Sequence, residues 1–170
     1  MLAFDTALGT CAIAWSDAGI TGVMLPGTRG LGRGAAASPP VVPEAINDTV
    51  AAMVALLDGE HTDLREVVLD ESGIDPFRRS VYAAAREIPA GITVSYGDIA
   101  RAIGKPDAPR AVGHALGENP YPIIVPCHRV LSATGALHGF SAPGGIATKR
   151  RMLEIERAPG FTQLSLLPAS

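Results

Sequence analysis

Asn119-Pro120-Tyr121-Pro122-Ile123-Ile124-Val125-Pro126-Cys127-His128-Arg129-Val130 is the most informative stretch of the chain. Three prolines flank an apolar run, which reads as a stiff extended strand delivering a cysteine next to a histidine. Neighbouring side chains on a strand point to opposite faces, so Cys127 and His128 can cooperate only at a bend or through a water. A free thiol titrates near 8.5, and a nearby imidazole that accepts its proton raises the thiolate fraction at neutral pH. An acid behind the imidazole would fix its tautomer. On the pairing alone, a core cysteine beside an incidental histidine is the simpler reading.

Downstream, 146–157 has helical spacing. Met152, Leu153 and Glu156 share a face, which puts an acid among apolar residues, where it needs a partner. Upstream, Asp75-Pro76 is a helix start, with Asp at the N-cap and Pro at the first helical position. Phe77, Val81, Ala84 and Ile88 follow on one face, and Pro89 and Gly91 end the helix. Ser95 and Asp98 form a capping pair for a helix to about Ile103, stopped by Gly104. Asp107 is the expected cap of a further helix closed by Gly117. Two short helices around a Gly-containing turn are a helix-turn-helix candidate.

The N-terminal part reads differently. Residues 2–25 carry β patterning, with the larger residues of Cys11-Ala12-Ile13-Ala14-Trp15 alternating, a turn at 16–19 and a return strand from Ile20 to Leu25. Residues 27–43 form a Gly-, Ala- and Pro-rich loop. Pro43–Leu57 is a helix closed by Gly59, a short strand is expected at Val67–Leu69, and 70–75 is a linker. The predicted class is therefore α/β over residues 1–72, followed by a mostly helical region over 73–170.

The 170 residues are 47% hydrophobic and 18% charged, a globular composition without a run long enough to span a membrane. The first residues lack a basic region ahead of an apolar one, so no secretory signal is expected and cytoplasmic is the default location. Two cysteines, Cys11 and Cys127, permit at most one disulfide. Charge is segregated. Residues 1–75 hold 3 Lys+Arg against 11 Asp+Glu, and residues 76–170 hold 11 against 6, giving −8 and +5. The basic part can serve an anionic partner despite the net charge of −3.

The Pro-Cys-His-Arg-Val segment resembles the active-site motif of the O6-alkylguanine-DNA alkyltransferases. The resemblance covers about residues 76–157. It includes Pro76-Phe77, Ile88-Pro89-Ala90-Gly91, Val94-Ser95-Tyr96-Gly97, Arg110-Ala111-Val112-Gly113 and Asn119-Pro120, in the family's order and spacing. It implies a small ribonuclease-H-like N-terminal domain and a winged-helix-like C-terminal domain. It also implies direct, irreversible, single-turnover transfer of an alkyl group from O6-alkylguanine in double-stranded DNA. No cofactor or metal is implied, and a monomer is expected.

Residue by residue, the resemblance makes Cys127 the acceptor, His128 its base acting through a water, and Glu156 the acid that orients the histidine. Tyr96 would donate towards guanine N3, and Ser141 would sit near the O6 leaving atom. The carbonyls of Cys127 and Val130 would read the guanine amino group. Asn119 would tie the recognition helix to the active-site strand. Arg110 would fill the place of the flipped nucleotide, with Ala111 and Gly113 allowing close approach in the minor groove. Arg101, Lys105, Lys149, Arg150 and Arg151 are candidate phosphate contacts.

Three departures stand out. Residues 139–145 carry two extra residues, Ala142 and Pro143, which are expected to bulge away from the site. Glu118 stands where many members carry a base. Cys11 and His61 are too few for the metal site that some members hold. The alternatives are a non-catalytic sensor of alkylated DNA, a Cys-His hydrolase or thiol transferase on small molecules, and a structural module.

Overall fold

The structure is a computed structural model that describes residues 1–31 and 41–161. The expected loop at 27–43 falls partly on residues 32–40, which lie outside the described residues. Strands β1 (Leu2–Thr6), β2 (Gly9–Ser16) and β3 (Gly19–Met24) form an antiparallel meander. Helix α1 (Glu44–Leu57) packs on its first strand. Cys11 and Ile13 face the core as the alternation predicts, but Ala12 is equally buried. The strand expected at Val67–Leu69 is reduced to a single bridge between Leu69 and Ile20.

Helices α2 (Pro76–Arg86), α3 (Tyr96–Ala102) and α4 (Pro109–Gly117) pack on one another. Asp75 caps α2 by accepting from Arg78 N–H at 3.0 Å, an interaction worth about 1 kcal/mol. The buried face of α2 is Val81, Tyr82 and Ala85, rotated from the expected stripe, with Phe77 and Ala84 only half-buried. Tyr82 can be fully buried because its hydroxyl donates to the Ala115 carbonyl of α4 at 2.9 Å. Ser95 and Asp98 form the predicted capping box of α3. Asp107 does not cap α4. The N-cap is Ala108, without a side-chain bond, and Pro109 opens the helix with its preset φ.

A final helix, α5 (Gly145–Ile155), closes the described fold. Two two-residue strands, β4 (Val94–Ser95) and β5 (Val130–Leu131), pair in parallel. That pairing has a positional consequence. β4 leads directly into Tyr96, and β5 follows directly on Cys127–Arg129, so the start of the helix pair is held beside the cysteine.

Candidate active site

The segment before Cys127 is not the expected strand. Tyr121–Val125 turns on itself, with Val125 N–H donating to the Tyr121 carbonyl at 2.8 Å. Buried Ile123 sits at φ +77°, a conformation unfavourable for a β-branched residue. Asn119 holds the turn from both sides: its Oδ1 accepts from Tyr121 N–H, and its Nδ2 donates to the Val125 carbonyl, each at 2.9 Å. The β-sheet braces the same turn, because Val23 N–H donates to the Pro120 carbonyl at 2.9 Å. Tyr121 adds a bond from its hydroxyl to the Asp70 carbonyl at 2.6 Å. The chain then enters a single 3₁₀ turn, Cys127–Arg129. This is the bend that adjacent cooperating residues require.

Cys127 is only 8% exposed. Burial pushes its thiol up, and the Asn119 side chain and the Lys149 charge oppose that rise by favouring the anion. His128 is fully buried. Its Nε2 lies 2.8 Å from Glu156 Oε1. A carboxylate only accepts, so Nε2 carries the proton and Nδ1 presents a lone pair. That Nδ1 is buried and has no hydrogen-bond partner among the described residues. Burial lowers the histidine's pKa despite the neighbouring Glu156, and Arg129 adds to the lowering, so the ring is neutral and able to take a proton.

Glu156 caps the end of α5 and is 2% exposed. Arg129 clamps it, with Nη2 at 2.8 Å from Oε1 and Nε at 3.0 Å from Oε2. The Gly91 N–H donates to Oε2 at 3.1 Å. Gly91 has φ +80°, and a Cβ there would meet the Glu156 carbonyl at 3.0 Å, so only glycine fits. His128 and Arg129 together hold the carboxyl far below the usual carboxylate range, against the burial that would raise it. Sequence reading misses Arg129, whose partner is 27 residues away. It also misassigns Lys149, which cannot reach a phosphate. Lys149 is 1% exposed, donates from Nζ to the Val130 carbonyl at 2.7 Å and lies 5.8 Å from the Tyr96 ring centroid. The Val130 carbonyl is therefore engaged by Lys149.

Tyr96 packs over Gly113, where an added Cβ would lie 3.7 Å from its ring. Burial raises the Tyr96 phenol, which keeps it a neutral donor. Tyr96, Gly113, Ser141, Lys149 and Cys127 line one small recess of about 10 Å³. The lip at 140–143 folds over Cys127 instead of bulging away. Ser141 Oγ donates to the Gly117 carbonyl at 2.5 Å, and Pro143 lies against Gly27, where an added Cβ would meet it at 3.1 Å. Behind the lip, Cys127 also borders a cavity of about 150 Å³ lined by Leu25, Pro122, Phe140, Ala142 and Pro143. The lip closes because of apolar contact: Phe140 and Ala142 pack onto the main core.

Arg110 and Ala111 are exposed on the first turn of α4, and Arg110 makes no ion pair among the described residues. Lys105, Arg150 and Arg151 are exposed, and Arg101 pairs with Asp98 on its own helix. Glu118 is not a lone acid, since it lies 3.7 Å from Arg78 and 3.8 Å from His114. Cys11 is a buried strand residue, and among the described residues no group of three or more His, Cys, Asp or Glu could hold a metal ion. No described helix is long and apolar enough to cross a membrane.

The same arrangement of elements occurs in known proteins. Residues 76–158 match the family profile described as 6-O-methylguanine DNA methyltransferase, DNA binding domain. The methylated-DNA–protein-cysteine methyltransferase of Mycobacterium bovis is 47% identical over 124 residues, which is 73% of each chain. The solved O6-methylguanine methyltransferase of Mycobacterium tuberculosis superposes with a TM-score of 0.71 at 37% identity, over 93% of both chains. A second structure, Mycobacterium tuberculosis OGT in complex with DNA, gives 0.68 at 34% identity over 94% of both.

Proposed function

The chain belongs to the 6-O-methylguanine DNA methyltransferase family, and on that premise we propose how its residues carry out the reaction. The protein repairs DNA by moving an alkyl group from O6-alkylguanine onto Cys127. The observation that carries the assignment of roles is the buried His128–Glu156 pair. It leaves an Nδ1 lone pair on the residue next to the cysteine. His128 takes the thiol proton through an intervening water. The thiolate attacks the alkyl carbon in line, an S–C bond forms, the C–O6 bond breaks, and its electron pair stays on guanine. Tyr96 and Ser141 donate to the developing guanine anion. Ser141 must first release the Gly117 carbonyl. The 10 Å³ recess cannot hold a purine, so residues 140–143 must also shift to admit the flipped base. The product is a thioether that His128 cannot hydrolyse, so each chain acts once.

The DNA complex of the similar mycobacterial protein supports duplex DNA as the partner here. In this reading, residues 1–72 form a ribonuclease-H-like support domain. Residues 73–170 form a winged-helix-like domain in which α3 and α4 are the helix-turn-helix. The braces from Val23 and Tyr121 support that division of labour, because they fix the cysteine turn from the acidic part. Arg101, Lys105, Arg150 and Arg151 contact phosphates. Arg110 enters the space left by the flipped nucleotide, with Ala111 and Gly113 on the same helix. A monomer acting in the cytoplasm without a cofactor fits this chemistry.

Intact-protein mass spectrometry after mixing with duplex carrying O6-methylguanine tests the reading. One methyl group per chain is expected, located on Cys127 by peptide mapping. Repeated turnover would assign a hydrolase or transferase on small molecules instead. Binding without transfer would assign a sensor. Arg110→Ala should slow repair of duplex by about tenfold while sparing reaction with free O6-benzylguanine, because only the duplex needs extrusion. Equal losses on the two substrates would move Arg110 from extrusion to the fold.

A further inference from the structure

The acidic part of the chain contains a groove that plays no part in alkyl transfer. It has a volume of about 810 Å³ and runs between the β2–β3 turn, the first half of α1 and residues 63–68. Its floor is apolar: Trp15, Ile20, Ile46, Ala52, Leu64 and Val67. Val68 on its wall is 67% exposed, and Val41, two residues before the wall at Pro43, is 79% exposed. These are two of the four large exposed hydrophobics among the described residues. A water-facing Val68 in the wall of an apolar channel adds exposed apolar surface that a partner can cover.

The charges that line the groove all have one sign. Asp17, Asp48, Asp63 and Glu66 border it, and no Lys, Arg or His among the described residues does. Asp63 is neutralised by Arg65 at 2.7 Å. Asp17, Asp48 and Glu66 form no ion pair among the described residues. An apolar floor with an acidic rim is complementary to a segment carrying apolar side chains on one face and Lys or Arg on its flanks. It repels nucleic acid. We propose that this groove is a docking site for a basic amphipathic segment of a partner protein.

The groove lies wholly within the part of the chain carrying −8, whereas Arg110 and the other proposed DNA contacts lie in the part carrying +5. DNA and the partner segment can therefore be held together, one on each part. Simultaneous binding rests on the DNA-repair reading; docking of the segment does not.

Trp15 is the chain's only tryptophan and sits in the groove floor, so its fluorescence reports occupancy directly. The probe is a synthetic amphipathic helical peptide with a leucine face and a lysine face, titrated into the full chain. The control is the same peptide with glutamate in place of lysine. Saturable, salt-sensitive change of Trp15 emission is expected with the lysine peptide alone. Combined Asp17→Asn, Asp48→Asn and Glu66→Gln should weaken binding roughly tenfold, the sum of three exposed ion pairs. Ala45→Arg, which places a cation on the exposed wall of α1, should also weaken it. Both variants should transfer alkyl groups at the parent rate.

Equal binding of both peptides would overturn the proposal, as would indifference to the variants. Trp15 emission that changes with protein concentration, without peptide, would assign the groove to a second copy. A chain that binds the peptide but transfers no methyl group would refute the repair reading and leave the docking site standing.

Discussion

The Cys127→Ser chain is expected to fold, to bind duplex carrying O6-methylguanine, and to take up no methyl group. Cys127 is buried between the lip and Tyr96, and serine is slightly smaller, so the substitution leaves a minor gap without overpacking. The chemistry is lost for a separate reason. The turn gives a thiol modest help: His128 Nδ1 to take the proton, and the Asn119 side chain with the Lys149 charge to favour the anion. Those aids act on a thiol, a group that ordinarily titrates near 8.5 and that burial here raises. They fall far short for an alcohol, which also lacks the soft sulfur that in-line attack on an alkyl carbon favours. Because the flipped base meets the same pocket walls, affinity for damaged duplex should match the parent within a few-fold. Mass spectrometry and a gel-shift titration on the same samples read both quantities. Cys11 is the internal control, since it is fully buried in β2 and its thiol is pushed up by burial. A methyl group on Cys11, or on the serine variant, would move the acceptor elsewhere.

Much of this site is legible in the sequence because its signals are local. Asp75-Pro76 and Ser95 with Asp98 announce helix starts through hydrogen bonds that span three residues. Glu156 stands out as an acid on an apolar face, and it faces His128. What stays hidden depends on contacts distant in sequence or on backbone conformations that residue types do not announce. Tyr121–Val125 has strand composition, yet Asn119 and the Val23 bond turn it, at the expense of a left-handed Ile123. Arg129 follows the histidine like any surface base and finds its acid 27 residues on.

Lys149 misleads for a different reason. It opens a Lys-Arg-Arg run, which looks solvated. However, positions 149, 152, 153 and 156 share one helical face, and that face is the buried one. The period is the better guide than the charge. The lip misleads in the opposite sense. Small residues and a proline suggest a loop standing off the site, but Phe140 and Ala142 have apolar surface to bury and the core beneath them is apolar.

Glu156→Gln carries the largest expected cost to both stability and rate. The carboxylate accepts from His128, from Arg129 through two nitrogens and from Gly91, all buried. Glutamine keeps the shape but leaves the Arg129 guanidinium without a counter-charge, and removing one member of a buried ion pair costs roughly 3–5 kcal/mol. The amide has one acceptor oxygen where donors from His128, Arg129 and Gly91 converge, and no charge to stabilise an imidazolium, so single-turnover methyl transfer should slow by about a hundredfold. The pH dependence separates the two groups. The folded pKa of His128 is depressed, so the unfolded chain binds its proton first and stability falls as pH drops below about 6.5. The folded pKa of Glu156 is also depressed, so its contribution is intact above about 4.3 and is lost as pH falls further. In the glutamine variant the second loss should vanish, which urea midpoints taken from about pH 8 down to about pH 2 would reveal. A second substitution distinguishes catalysis from scaffolding. Adding Arg129→Met removes the orphaned charge, so the double variant should regain much of the lost stability. It should not regain the rate, because a neutral amide cannot stabilise the imidazolium that forms when His128 takes the thiol proton. Recovery of both together would reduce Glu156 to a structural partner of Arg129, and the histidine would act without it.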